Sequence, residues 1–91
     1  MKLTDEQKEN MFVYGIPLHM HGALTRYYEN KLPPGHFLEA VLNNDLKEAI
    51  NRADDINRNR IHSYIAWLYN EVPSGSWGYE NAVSDWIGEK V

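Results

Sequence analysis

The densest run of chemically capable side chains lies between positions 48 and 62: Glu48, Arg52, Asp54, Asp55, Arg58, Arg60 and His62. Arginine forks can grip a carboxylate or a phosphate through paired N–H donors. The same residues at helical spacing can also satisfy one another. Glu48→Arg52 and Asp54→Arg58 are i,i+4 pairs with the acid on the N-terminal side, the favourable order. Two readings follow: a solvated, salt-bridged helix junction, or a polar docking surface built from Arg52, Asn57, Arg58 and Arg60.

Other constellations are weaker. His19 and His21 would share a metal on a strand, but on a helix they point about 200° apart, and a helix is expected here. His36 and Glu39, with Glu48 further on, could exchange protons, yet no nucleophile, metal set or oxyanion hole accompanies them. Ser63, Ser74, Ser76 and Ser84 lack a nucleophile-elbow setting. Gly75-Ser76-Trp77-Gly78 precedes a helix, and its amides could hold an anion. It carries no Walker lysine, so a tight connector is the better reading. The sequence has no cysteine, which removes disulfides, thiolate zinc sites and cysteine nucleophiles together. No catalytic residue, metal ligand or cofactor is assigned.

Composition narrows the partners. A formal net charge of -4 works against broad attraction to nucleic acid or an anionic membrane. It is too mild, and too mixed in sign, for a DNA mimic. The start MKLTDEQKEN has no following apolar run, so no signal peptide is visible. No stretch approaches the roughly 18 apolar residues of a membrane span. A cytoplasmic, non-membrane protein is expected, with residues 1–91 forming one helical domain. An apolar share of 43%, with three Trp, six Tyr and two Phe, is enough for a core.

The elements that must position these residues are helices, because the apolar spacing is three-to-four throughout. Thr4 with Gln7 is a capping box, and the first helix should stop near Gly15. Pro17 suits the start of a second helix with Met20, Leu24, Tyr27 and Tyr28 on one face. Adjacent tyrosines cannot both face a core fully, so one is expected at a rim or in an interface. A third stripe runs from Leu38, Val41 and Leu42 through Leu46, Ala49, Ile50 and Ala53. Asn43-Asn44-Asp45 interrupts it, and Asp45 with Glu48 reads as a new N-terminus, which favours two short helices over one kinked one. Asp54-Asp55 starts a helix carrying Ile61, Tyr64, Ile65, Leu68 and Val72 inward. A last helix is expected from about Tyr79 to Glu89, facing in with Tyr79, Ala82, Val83, Trp86 and Ile87, and Trp77 packs back on it. The fold class is all-α: a compact bundle of about five short helices and no sheet.

From Leu32 to Trp86 the chain resembles a family of small uncharacterised proteins of tailed bacteriophages and prophages. Pro33-Pro34-Gly35, Phe37-Leu38, Ala40-Val41-Leu42, Asn44-Asp45-Leu46 and Glu48-Ala49 carry the likeness. Arg52-Ala53-Asp54, Asn57, Leu68-Tyr69-Asn70, Pro73-Ser74, Trp77-Gly78, Val83 and Trp86 continue it in the same order. Ile16-Pro17, Gly22 and Tyr27 look like the family's start. The chain departs after Trp77-Gly78, where Tyr79-Glu80-Asn81 replaces the usual Ser-Pro-Glu, shifting the expected start of the last helix by about a residue. The resemblance implies a phage genome and the host cytoplasm, and no established activity.

A non-enzymatic accessory protein is the expectation: stoichiometric binding to a host, defence or phage protein. The candidate surface comprises Asn44, Asp45, Arg52, Asp55, Asn57, Arg58, Arg60 and Trp77. Tyr69 and Trp77, if exposed beside the proline turn, would form a partner hot spot. The alternative is a small-ligand (nucleotide) or nucleic-acid binder working through Arg52, Arg58 and Arg60. Self-association is left open.

Overall fold

Thr4 begins the chain's first helix by a reciprocal cap. Its hydroxyl accepts from the Gln7 N–H at 3.0 Å, and the Gln7 side chain accepts from the Thr4 N–H at 2.8 Å. Asp5 and Glu6 follow in the first turn, where the helix dipole favours negative charge. Gly15, at φ 91°, ends the helix in the left-handed conformation that glycine adopts without strain.

The computed structural model describes residues 1–88. They form α1 (Asp5–Tyr14), α2 (His21–Asn30), α3 (His36–Leu42), α4 (Leu46–Arg52), α5 (Asp55–Arg58), α6 (Ile61–Glu71) and α7 (Ala82–Ile87). Single 3-10 turns at Leu18–Met20 and Ser74–Ser76 lead into the second helix and follow the sixth. No strand occurs among the described residues. The fold is all-α, as the spacing predicts, and α5 and α7 are short additions of 4 and 6 residues to five longer helices. Glu89, expected to close the last helix, lies outside the described residues.

The α3–α4 break forms where the sequence places it. Asn44 turns the chain at φ 61°, a conformation that asparagine tolerates better than most residues. Asp45 then caps α4, its carboxylate accepting from the Glu48 N–H at 3.2 Å. Asp54 likewise caps α5 through the Asn57 N–H at 2.7 Å. The expected continuous helix from there to Val72 does not form. Asn59 turns its amide onto the Asp55 carbonyl at 3.0 Å, a local bond that competes with the helix ladder. The chain pauses at Asn59-Arg60 and restarts as α6.

Several facing expectations change with these breaks. Leu46, Ile50 and Ile65 are exposed rather than buried. In α4 the small Ala49 and Ala53 make the close contact, so Leu46 and Ile50 swing to the flank. In α6 the inward face is centred on Ser63, Tyr64, Trp67 and Leu68, which brings Trp67 to full burial and leaves Ile65 at the edge. Tyr79 is outside and exposed, because α7 starts three residues later, at Ala82.

Both adjacent tyrosines, Tyr27 and Tyr28, are fully buried, contrary to the expectation for one of them. Ser76, also buried, makes this possible. Its carbonyl accepts from the Tyr27 hydroxyl at 2.9 Å, and its hydroxyl lies 3.0 Å from that of Tyr28. The Tyr27 and Tyr28 rings meet edge to face 4.9 Å apart, and Trp67 and Trp86 close around Tyr28. Burial pushes both phenols far above their ordinary value, and Tyr64 likewise.

Candidate functional site

Between α3–α4 and α6 the packing leaves a groove. The break after Leu42 turns α4 aside, and the tilted face of α6 brings Ile61 and Ile65 to the opposite wall. A cavity of about 240 Å³ results, lined by Ala40, Val41, Asn44, Asp45, Leu46, Ala49, Ile61, Ile65 and Trp77. A second hollow continues from it, sharing Asn44 and Trp77 and adding Tyr69, Val72, Ser74 and Gly78. Tyr69 is 78% exposed, Leu46 62% and Ile65 38%. Single exposed apolar residues are ordinary on a small protein, whereas several around one concave surface are not.

The groove is held by bonds that fix its walls. The Gly78 N–H donates to the Leu42 carbonyl at 2.7 Å, tying the Trp77 turn to the end of α3. The Asn43 side chain accepts from the Val83 N–H at 2.9 Å, tying the same α3 end to the start of α7. Trp77 itself is partly buried against the core.

Of the eight residues singled out in the sequence, the structure brings three to this groove: Asn44, Asp45 and Trp77. The others lie in local contacts of their own. Arg52 pairs with Glu48 at 2.7 Å and holds that carboxyl below its ordinary range. Arg58 pairs with Asp55 at 2.8 Å, one residue away from the expected Asp54, and also donates to the Ala53 carbonyl at 3.1 Å. Asp54 caps α5 and faces His19 at 3.4 Å. Arg60 extends its guanidinium across the Gly15 turn. Asn57, expected on the surface, is 3% exposed. It is a core residue, because its side-chain carbonyl accepts the hydroxyl of buried Tyr64 and so spares that group an unpaired burial.

The two histidines of the His19-Met20-His21 run are spent separately: His21 bonds the Ile16 carbonyl at 2.8 Å, while His19 faces Asp54. Among the described residues no group of three or more His, Asp or Glu side chains is placed to share a metal. A second exposed apolar set, Phe12, Val13 and Leu18, lies on another part of the surface, with Phe12 edge-on to His21 at 4.6 Å.

Leu46 and Ile65 are the groove residues that pattern reading missed. Both recur at helical spacing, which is the signature of core, and only their exact angular position separates them from it. The arrangement can bury apolar side chains of another molecule against Leu46, Ile65 and Trp77, and offers one carboxylate, Asp45, at the edge. No protein-family model, curated protein or solved structure matches the chain.

Proposed function

We propose that this chain is a non-enzymatic interaction protein whose docking face is the groove between α4 and α6. One observation carries the reading: three large apolar side chains stand exposed around two adjoining hollows that share Trp77, Leu46 and Ile65 at the first and Tyr69 at the second. Aromatic and aliphatic anchors in a rigid hollow are how protein interfaces concentrate their energy. Burying them would remove apolar surface from water at about 25 cal/mol per Å². The resemblance to small tailed-phage proteins supports stoichiometric binding to a host, defence or phage protein in the host cytoplasm.

The arginine surface supports a nucleotide or nucleic-acid reading less well. Arg52 and Arg58 are each engaged with a neighbouring carboxylate, and a phosphate would have to displace those partners.

The test is quantitative recovery of a partner from cells producing the chain. Leu46→Glu and Ile65→Glu place charge on exposed positions, so the helical circular dichroism spectrum should persist while recovery falls at least about tenfold. Arg58→Glu should recover the partner normally. Recovery that survives both groove substitutions, or is lost on Arg58→Glu alone, refutes the assignment.

A further inference from the structure

Within that reading, and resting on it, we infer that the groove's occupant is an extended segment of the partner, which pairs with the backbone of Trp77 as one rung of an antiparallel ladder and sets an uncharged apolar side chain beside the Trp77 indole. Two pinned peptide planes set this chemistry. The Ser76 carbonyl accepts from the buried Tyr27 hydroxyl at 2.9 Å, so it points into the core. The peptide bond that follows is trans, which turns the Trp77 N–H the opposite way. On the other side of the residue, the Gly78 N–H donates to the carbonyl of buried Leu42 at 2.7 Å. By the same planarity the Trp77 C=O points away from the end of α3. Two bonds to the body of the fold therefore hold both backbone polar groups of Trp77 outward.

Trp77 is itself extended, at φ -162° and ψ 169°, so its N–H and C=O lie on one side of the chain. Among the described residues neither group has a hydrogen-bond partner. Backbone groups left this way are completed by water or by another chain. In an antiparallel pair a single opposing residue supplies both bonds, donating its N–H to the C=O and accepting the N–H with its own carbonyl. The interior of a helix cannot do this, because its N–H and C=O groups are bonded along its own axis. A proline at the paired position cannot either, for want of an N–H. The side chain of the opposing residue falls on the same face as the indole. The hollows that Trp77 lines carry one charged residue between them, Asp45, and present Leu46, Ile65 and Tyr69 as exposed apolar surface. A β-branched or aromatic side chain suits that place and also favours the extended backbone.

The experiment selects a displayed library of randomised linear peptides, each about eight residues long, on the intact chain. Single peptides are then measured by fluorescence anisotropy, and the Trp77 amide by hydrogen exchange. The expected winners share a β-branched or aromatic residue at one position. N-methylation of that residue should abolish binding, whereas N-methylation of either neighbour, whose amide points the other way, should be tolerated. An ester at the same position, which removes only the donor, should weaken binding about two- to tenfold, the range for one net hydrogen bond. The Trp77 amide should exchange freely in the unbound chain and at least about tenfold more slowly in the complex. Binding should fall at least about tenfold on Leu46→Glu or Ile65→Glu. A flat N-methyl scan, winners that bind as helices by circular dichroism, or a Trp77 amide that is protected without peptide or unchanged by it overturns the inference while leaving the groove as the docking face. Winners that bind the Leu46→Glu and Ile65→Glu chains undiminished overturn both. Failure to enrich any peptide overturns the extended occupant, leaving the docking face to the partner-recovery test. A dimer in sedimentation that Ile65→Glu converts to monomer assigns the groove to a second copy and likewise overturns it.

Discussion

Replacing Ser76 by alanine should cost far more than one small hydroxyl suggests. Ser76 has a single hydroxyl proton, and it is directed at the Pro73 carbonyl at 2.6 Å. The contact at 3.0 Å with Tyr28 is therefore donated by the tyrosine. In Ser76→Ala the Pro73 carbonyl keeps the residue-76 N–H, at 3.1 Å. The Tyr28 hydroxyl, wholly buried, keeps nothing. An unsatisfied buried hydroxyl costs about 1–3 kcal/mol. For a domain of this size that is a fall in Tm of roughly 5–20 °C, at about 4–8 °C per kcal/mol. Tyr28→Phe removes the donor instead, and Ser76 retains Pro73, so only the net bond is lost, about 0.5–1.5 kcal/mol. In the Tyr28→Phe background, Ser76→Ala should then cost only the Ser76–Pro73 bond, about 0.5–1.5 kcal/mol. Thermal unfolding of the four chains by circular dichroism measures the cycle. Strict additivity, with Ser76→Ala equally costly in both backgrounds, would refute the claim that Ser76 is what permits two adjacent buried tyrosines.

Three further outcomes follow from the same core. Ser63 is buried with an unpartnered hydroxyl beside Gly15, so Ser63→Ala should be neutral or raise Tm, by up to about 1 kcal/mol of stability. A large loss in a melting curve would show that the hydroxyl is bonded after all. Tyr27, Tyr28 and Tyr64 are raised above the ordinary phenol value of 10.0 by burial. Stability is thus complete below pH 10.0 and falls above it, where the unfolded chain ionises and the folded chain does not, at about 1.4 kcal/mol per pH unit per group. Tyrosinate absorbance from these three should rise together with the loss of helicity, and a rise in the still-folded protein would contradict their burial. At the acid end, the Leu3 N–H donating to Glu29, with Lys8 nearby, holds that carboxyl below its ordinary 4.5. The contribution is present above 4.5 and lost as pH falls through the lower folded value. Glu29→Gln should flatten that limb of a Tm-against-pH plot.

Local signals fixed the starts of α1, α4 and α5. Thr4 with Gln7, Asp45 with Glu48, and Asp54 each place an oxygen where an N-terminal N–H needs one, and each cap is present. Rotation of a helix about its axis is less legible. Leu46, Ile50 and Ile65 sit at core periodicity, yet whether a flanking position is covered depends on which neighbour crosses there, and α4 crosses on its alanines. Asn57 shows the same gap for polar groups. Its type reads as surface, and only the fold brings the Tyr64 hydroxyl to it. Of the groove, the turn residues Asn44, Asp45 and Trp77 were visible because turn chemistry is local. The apolar walls were not, because concavity is a property of packed helices.

The docking face is tested most directly by placing a photoreactive side chain at positions 46, 65 and 69 in turn, and at 12, 13 and 18 as comparison. Irradiation of cells producing each chain should give one shared covalent adduct from the first three positions and none from the others. Adducts formed only through positions 12, 13 and 18 would contradict the account and move the interface to the Phe12 surface.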